Sequence, residues 1–197
     1  MDSLESLLVE IRACRHCETD LPLGPRPVLA AKALAQILIV GQAPGLRVHE
    51  SGIAWDDASG KRLRDWMGIS KTDFYDAAKV AIVPMGFCYP GTGKSGDLPP
   101  RKECSELWHQ RLLKQLPRIR LTLLVGRYAQ AYMLGNQSKP TLTKTVNAWR
   151  DYTPKNIPLP HPSPRNNRWL SKNPWFESDA IPYLKKRVKR LLAQSRS

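Results

Sequence analysis

Four short apolar runs predict β-strands, at residues 36–41, 80–85, 121–126 and 156–161. The first three are apolar almost without interruption, which is typical of strands covered on both faces of a sheet. Helix-like segments follow these three strands, at residues 59–69, 101–116 and 127–134. Because strand and helix alternate, a parallel sheet with right-handed crossovers is expected. The pattern therefore predicts one α/β domain over residues 1–197, a three-layer α/β/α arrangement around a central four-stranded parallel sheet.

Helical spacing of apolar residues also marks both ends of the chain. The N-terminal face consists of Leu4, Leu7, Leu8 and Ile11, and the face of a helix over roughly 178–193 consists of Ile181, Leu184, Val188 and Leu191. The N-terminal segment is acidic and lacks the basic start and apolar centre of a signal peptide. No apolar run approaches the length of a membrane span. We therefore expect a cytoplasmic protein, and the final helix is interpreted as a cover over the sheet with a solvated basic face.

The charge balance separates this chain from an average globular protein. Its 197 residues contain 31 Lys and Arg against 17 Asp and Glu, a formal net charge of +14. Such a balance favours a polyanionic partner, because neutralising phosphates releases counterions and supplies affinity. The alternative, a basic but merely solvated surface, stays open at this point.

Polar and glycine-rich segments stand at the ends of the predicted strands, where open α/β sheets bind their ligands. They are GQAPG (41–45), MGFCYPG (85–91) and HPSPRN (161–166). The stretch from Leu159 to Trp169 contains three prolines, so neither a helix nor an interior strand is expected there. An aromatic residue, Trp55, stands ten residues after the end of GQAPG. We therefore place the chemistry at this edge of the sheet.

GQAPG, Trp55 and HPSPRN occur in this order and at these separations in a known family. The chain resembles the uracil-DNA glycosylase superfamily over roughly residues 10–190. The first motif looks most like the iron–sulfur (family 4-like) branch of bacteria and archaea, and the second like the single-strand-selective branch. The resemblance implies a DNA base-excision repair enzyme that hydrolyses the N-glycosidic bond of uracil and leaves an abasic site. Its partner would be DNA containing a damaged or deaminated base.

The resemblance also implies roles for individual residues. Catalytic candidates are His161, Gln42, Glu50 and Asp56, with Asp57 close by in sequence. Base-binding candidates are Gly41, Gln42, Ala43, Trp55, Met85, Gly86 and His161. DNA-binding candidates are Pro162, Ser163, Pro164, Arg165 and Arg168, with Arg165 as the residue that fills the gap left in the duplex. Trp55 would stack on the extruded base, and His161 would donate to a carbonyl oxygen of the base.

The four cysteines are Cys14, Cys17, Cys88 and Cys104, a C-x2-C pair and a distant pair. Four thiolates from two segments can hold an iron–sulfur cluster or a zinc ion. The iron–sulfur glycosylases have a similar pattern, so the resemblance implies a [4Fe–4S] cluster as the cofactor. Zinc, or ordinary buried cysteines with no metal, are the alternatives.

Two positions depart from the family pattern. Ala43 stands where relatives place Asp or Asn to position water, and Pro84 stands where the iron–sulfur branch has the Asn that reads uracil. Two alternatives therefore stay open: a glycosylase for hypoxanthine or xanthine, and a catalytically weak DNA-binding protein of the same fold. A monomer is expected, the sequence gives no reading of a sliding-clamp partner, and the strand preference and the excised base stay open.

Overall fold

A four-stranded parallel sheet forms the centre of the computed structural model, which describes residues 3–94 and 96–194. The strands of this sheet are β1 (Ile37–Val40), β2 (Val80–Ile82), β5 (Leu121–Val125) and β6 (Asn156–Leu159). Their order is β2-β1-β5-β6, with β1 paired to both β2 and β5. A two-stranded antiparallel hairpin, β3 (Thr92–Gly93) and β4 (Gly96–Asp97), lies in the loop after β2. The four predicted strands and their parallel arrangement are confirmed.

Helices pack on both faces of this sheet. They are α1 (Leu4–Arg12), α2 (Leu46–Ser51), α3 (Ala58–Met67), α4 (Lys71–Tyr75), α5 (Gln110–Lys114), α6 (Arg127–Leu134), α7 (Leu142–Asn147), α8 (Trp149–Tyr152), α9 (Asn167–Lys172) and α10 (Ile181–Gln194). A π-helical turn, Ser105–His109, leads into α5, and another, Phe176–Ala180, leads into α10. No helix in these described ranges is long and apolar enough to cross a membrane.

Alternate strand side chains build two separate cores. Leu38 and Val40 of β1 join the core beneath α1, α5 and α6, whereas Ile37 and Ile39 join the core beneath α3, α7, α8 and α10. This alternation is the period-two pattern of a strand buried on both faces. All four apolar residues predicted for each end helix are buried. The three-layer arrangement is therefore present, with α10 as a cover over the second core.

The structure corrects the expectation for the proline-rich stretch from Leu159 to Trp169. The strand ends at Leu159, and a 3-10 turn, Pro164–Asn166, leads directly into α9. The prolines all precede the helix, and Pro164 occupies the first turn, where a missing backbone N–H costs little. The Ser163 hydroxyl caps this turn by accepting from the Arg165 N–H at 3.2 Å. The proline pattern does not predict α9, because the prolines restrict the backbone only as far as Pro164 and the helix begins at Asn167.

Burial of one face of α10 should contribute strongly to stability. Leu184 is 0% exposed, so Leu184→Ala should lower the free energy of unfolding by about 2–5 kcal/mol through lost burial and a residual cavity. Lys186→Ala, on the exposed side of the same helix, should change it by less than about 0.5 kcal/mol. Urea denaturation of both variants measures this, and equal effects would contradict the packing of α10.

Candidate active site

A cavity of about 670 Å³ opens at the carboxyl edge of the sheet. Its walls come from the first motif (residues 41–45), the segment 54–59, the β3–β4 hairpin and the second motif (residues 161–166). The polar side chains that line it are Gln42, Asp57, Ser59, Asp97, His161, Ser163, Arg165 and Asn166. Segments far apart in sequence therefore meet in one cavity large enough for a nucleobase and part of its sugar.

Trp55 adopts a backbone conformation that side-chain-bearing residues rarely take. Its φ is 60°, in the left-handed region, which costs about 1–3 kcal/mol unless the surroundings hold it. Gly60 in the first turn of α3 lies directly against it, since a Cβ on Gly60 would be 1.8 Å from the Trp55 carbonyl oxygen. A Cβ on Gly41 would be 2.9 Å from Trp55 Cζ2, so the indole also lies against the first motif. Two glycines therefore let Trp55 approach both α3 and β1.

Polar groups behind Trp55 hold its carbonyl oxygen in place. The Tyr75 hydroxyl donates to that oxygen at 3.3 Å, and Arg64 Nη1 lies 3.5 Å from it. Arg64 also contacts Tyr75 at 3.4 Å, and its guanidinium lies over the Phe74 ring. The carbonyl of a strained residue is thereby satisfied inside the protein, which fixes the indole at the cavity wall.

The second motif holds His161 in one tautomer. The Ser163 N–H donates to His161 Nδ1 at 3.2 Å, so Nδ1 is an acceptor and the neutral ring carries its proton on Nε2. Asn166 donates to the His161 carbonyl at 2.7 Å, and Arg62 of α3 donates to the Ser163 carbonyl at 3.2 Å. Burial, aided by the Arg165 charge, lowers the pKa of His161, and Asp57 and Asp97 partly oppose this shift. His161 is therefore a neutral hydrogen-bond donor at pH 7.

Trp55 and His161 lie beside each other at the cavity. Their ring centroids are 5.6 Å apart, with 33° between the planes. A base sandwiched between them would need about 6.8 Å, twice the ~3.4 Å base spacing of DNA. The two rings are therefore too close together for a base to insert between them.

Met85 and Gly86, in the segment after β2, do not line the cavity as expected of base-binding residues. The Met85 N–H donates to the Gly41 carbonyl and the Gly86 N–H to the Gln42 carbonyl, both at 2.9 Å. The Met85 side chain is buried in the core beneath α1. These amides are already occupied by the first motif, and of this segment it is Pro84 that lines the cavity.

The acidic candidates differ in whether they line the cavity. Among the described residues, Glu50 and Asp56 are absent from the cavity lining, whereas Asp57 is present. Asp57 caps α3 by accepting from the Gly60 N–H at 2.7 Å. The lining also contains Asp97, which the sequence reasoning missed. The sequence signal near Asp97 is the glycine-rich segment 91–97. This segment predicts a turn, but it does not show that the turn folds over the first motif.

The remaining second-motif residues lie at the rim of the cavity. Pro164 and Arg165 are exposed and line it, whereas Pro162 is buried beside them. Arg165 lies across the hairpin, with Nη1 2.5 Å from where a Cβ on Gly96 would stand. Arg168 is exposed on α9, on the far side of Arg165 in sequence. Arg165 therefore presents a positive charge at the rim, and Arg168 is exposed on the helix that follows.

All four cysteines line a second, small cavity of about 20 Å³ between α1 and the start of α5. Phe87 N–H points at the Cys104 sulfur at 3.4 Å, and the Arg101 guanidinium donates towards Cys17. Burial raises the pKa of Cys88 to about 11 and that of Cys104 to about 12. In the described ranges, however, no group of three or more His, Cys, Asp or Glu side chains is assembled as a metal-ion site. The four thiols therefore line one cavity, and within the described residues they are not assembled as a metal site.

Comparison with known proteins places these features in a family. The family model for the uracil DNA glycosylase superfamily matches residues 30–185. The matched region includes both motifs, Trp55, Cys88 and Cys104, and Cys14 and Cys17 precede it. The chain is 26% identical over 138 residues to the type-4 uracil-DNA glycosylase of Archaeoglobus fulgidus, a match that spans 68% of this chain and 64% of that relative. A crystal structure of wild-type Pedobacter heparinus SMUG2 aligns at 15% identity and a TM-score of 0.38, covering 83% of this chain and 77% of that one.

The charges around His161 predict how its titration responds to substitution. Arg165→Gln should raise the pKa of His161, because a positive charge that disfavours the imidazolium is removed, and Asp57→Asn should lower it. In the wild type the pKa of His161 should lie below the usual 6.5, so the neutral form persists as the pH falls through that value. NMR of the histidine ring measures each midpoint. A wild-type midpoint above 6.5, or shifts of the opposite sign, would contradict the assigned surroundings.

Proposed function

Because the chain belongs to the uracil-DNA glycosylase superfamily, we propose that it is a monofunctional DNA glycosylase that hydrolyses the N-glycosidic bond of uracil in DNA. The observation that carries this proposal is the meeting of Trp55 and a neutral His161 in one cavity beside the first motif. The activity would leave an abasic site, with no strand cleavage, since no lysine lines the cavity among the described residues.

The reaction requires stabilisation of charge as the base departs. The electrons of the broken bond leave with the base and accumulate on its carbonyl oxygens. His161 Nε2–H can donate to such an oxygen because Nδ1 is held as an acceptor by the Ser163 N–H. A donor placed in advance, in a site shielded from water, is worth more in the transition state than in the ground state. His161 is therefore the proposed catalytic residue.

Trp55 is the proposed stacking platform. Stacking of a base on an aromatic side chain is worth about 1–3 kcal/mol. The left-handed backbone of Trp55 is maintained by Gly60, Tyr75 and Arg64, so the indole is held in place before the base arrives. An extruded base would meet a fixed ring rather than one that must first be ordered.

DNA would be held by charge and by the rim of the cavity. Each phosphate neutralised by Lys or Arg contributes salt-sensitive affinity, which suits a net charge of +14. Ser163, Pro164, Arg165 and Arg168 are the proposed backbone contacts, with Arg165 beside the opening from which a base was extruded. A single copy of the chain supplies all of these groups, which is consistent with a monomer.

Another deaminated base, hypoxanthine or xanthine, is the second candidate substrate. It is favoured by Pro84, which lines the cavity but has no side-chain amide with which to read uracil. The neighbouring Met85 and Gly86 amides are bonded to the first motif and cannot replace that contact. The Gln42 side chain, whose amide lies 3.5 Å from the Leu98 carbonyl, retains its oxygen as an acceptor for a base N–H.

We further propose that Cys14, Cys17, Cys88 and Cys104 bind a [4Fe–4S] cluster. The donor set fits, because all four thiols line one cavity and N–H groups of Phe87 and Arg101 point at two of the sulfurs. Within the part of the chain that the structure describes, Arg101 Nε is buried without a hydrogen-bond partner, so it is a donor that the sulfurs of a bound cluster would satisfy. Two cysteine pairs from distant segments suit a cluster, which spreads its ligand sulfurs over several irons. When bound, the cluster would supply a structural link and redox chemistry.

Release of free base tests the activity. Single-stranded and duplex oligonucleotides carrying uracil, hypoxanthine or xanthine should show uracil release by the wild type. His161→Ala should reduce the rate by about 100-fold or more, and Trp55→Ala should chiefly weaken binding of the extruded base. Release of hypoxanthine or xanthine alone would support the second candidate. Binding without any turnover, unchanged in His161→Ala, would instead indicate a DNA-binding protein of this fold.

Iron content tests the cofactor. Protein purified without oxygen should be brown and contain about four irons per chain, and Cys88→Ser should lose them. Arg111→Gln is the matched control, because Arg111 joins α5 to Glu10 of α1 at 2.6 Å but contributes nothing to the lining of the cysteine cavity. Colourless wild type with one zinc per chain, or with no metal, would contradict the cluster.

A further inference from the structure

We propose that Asp97, on the β3–β4 hairpin, is the carboxylate that holds and deprotonates the attacking water. This inference rests on the proposed glycosylase activity and supplies the group that the first motif lacks. Ala43 lines the cavity with a methyl group that can neither donate nor accept a hydrogen bond. Asp97 lines the same cavity from the β3–β4 hairpin, beside the end of the first motif.

The position of Asp97 places it close to the first motif. A Cβ on Gly45 would be 3.3 Å from Asp97 Oδ2, so this carboxylate oxygen lies directly above the first motif. Gly45 therefore leaves space for the carboxylate that a larger residue would take. The hairpin therefore brings an acid against the first motif, which has no acidic side chain of its own.

Neighbouring hydroxyl groups orient the Asp97 side chain. The Thr92 hydroxyl lies 3.4 Å from Asp97 Oδ1, on the facing strand of the hairpin. Thr92 is in turn 2.6 Å from the Tyr89 hydroxyl, and Tyr89 is buried. These bonds engage Oδ1 and leave Oδ2 beside Gly45 of the cavity lining, which is how outer groups fix a functional carboxylate.

The depth of Asp97 fits attack at the sugar. A base stacked on Trp55 and bonded to His161 lies inside the cavity, whereas the sugar stays near its mouth because the DNA backbone remains outside. Asp97 is exposed and therefore lies at the mouth. A water held by Oδ2 would face the sugar rather than the base.

The other acids fit this role less well. Asp57 lines the cavity, but one of its oxygens is committed to the Gly60 N–H as the cap of α3. Glu50 and Asp56 are absent from the lining among the described residues. Asp57 is half-buried and caps a helix, whereas Asp97 is exposed at the mouth, where the sugar would lie.

A carboxylate at this place carries an energetic cost. DNA approaches the rim with its phosphates, and a negative charge there opposes binding in a protein whose net charge is +14. A hairpin that served only to bind DNA would gain affinity from a neutral or basic residue at position 97. The acid is therefore explained by the chemical step rather than by affinity.

The step balances without any co-reactant beyond water. The water oxygen forms a bond to the sugar C1′ while the bond from C1′ to the base nitrogen breaks. The electron pair of that bond leaves with the base, whose carbonyl oxygen accepts from His161 Nε2–H. Asp97 takes a proton from the water, and the departing base is then protonated from solvent. Asp97 releases its proton before the next turnover.

Single-turnover kinetics and DNA affinity, measured together on whichever lesion the wild type excises, test this role. Asp97→Asn should lower the single-turnover rate by about 100-fold or more, as for loss of a general base. The same variant should bind lesion DNA as tightly as the wild type or more tightly, because a repulsive charge is lost. Asp65→Asn is the matched control, since it removes the same charge from an exposed site on α3 outside the cavity lining, and its rate should stay unchanged.

A rescue experiment separates chemistry from hairpin structure. Asp97→Ala should regain part of its rate when formate is added, because a small carboxylate can occupy the space left by the side chain. An Asp97→Asn rate within threefold of the wild type would overturn the proposal. Equal losses of rate and affinity, with no formate rescue, would overturn it as well by assigning Asp97 a structural role. Wild type inactive on every lesion would instead contradict the glycosylase activity itself.

Discussion

The candidate site depends on the close contact between helix α3 and the backbone of Trp55. Gly60 approaches the Trp55 carbonyl so closely that a Cβ would be 1.8 Å from it, and Trp55 itself has a φ of 60°. The same helix is capped by Asp57, which faces His161, and its Arg62 holds the Ser163 carbonyl. One short helix therefore sets the aromatic platform, the charge near the histidine and the position of the second motif.

A second set of contacts joins the cysteine cavity to the base cavity. Phe87, whose N–H points at Cys104, stacks on the buried ring of His109 with centroids 5.5 Å apart. Burial lowers the pKa of His109 to about 4, and this neutral ring donates through Nε2 to the Pro84 carbonyl at 3.0 Å. Pro84 lines the cavity of the candidate active site. A series of direct contacts therefore links the cysteines to that cavity. Cys88 and Cys104 also flank the hairpin that carries Asp97.

The parts of the structure that follow from periodicity could be predicted from the sequence. Strand β1 and helix α6 are examples, because continuous apolar runs and helical spacing are local signals. Helices α7 and α8 were not predicted, because six- and four-residue helices depend on buried residues such as Val146 and Trp149 rather than on propensity. Trp55 and His161 were found through their motifs. Asp97 and the occupied Met85 amide were not, because both depend on contacts between segments distant in sequence.

The proposed removal of a deaminated base from DNA at this cavity is identified directly by the free bases that the protein releases. Single-stranded DNA treated with nitrous acid contains uracil, hypoxanthine and xanthine together, so one substrate offers all three in competition. Mass spectrometry of the small molecules released by the wild-type protein should detect free uracil above the level given by His161→Ala. Hypoxanthine or xanthine without uracil would change the assigned base. No deaminated base above the His161→Ala level would contradict the account.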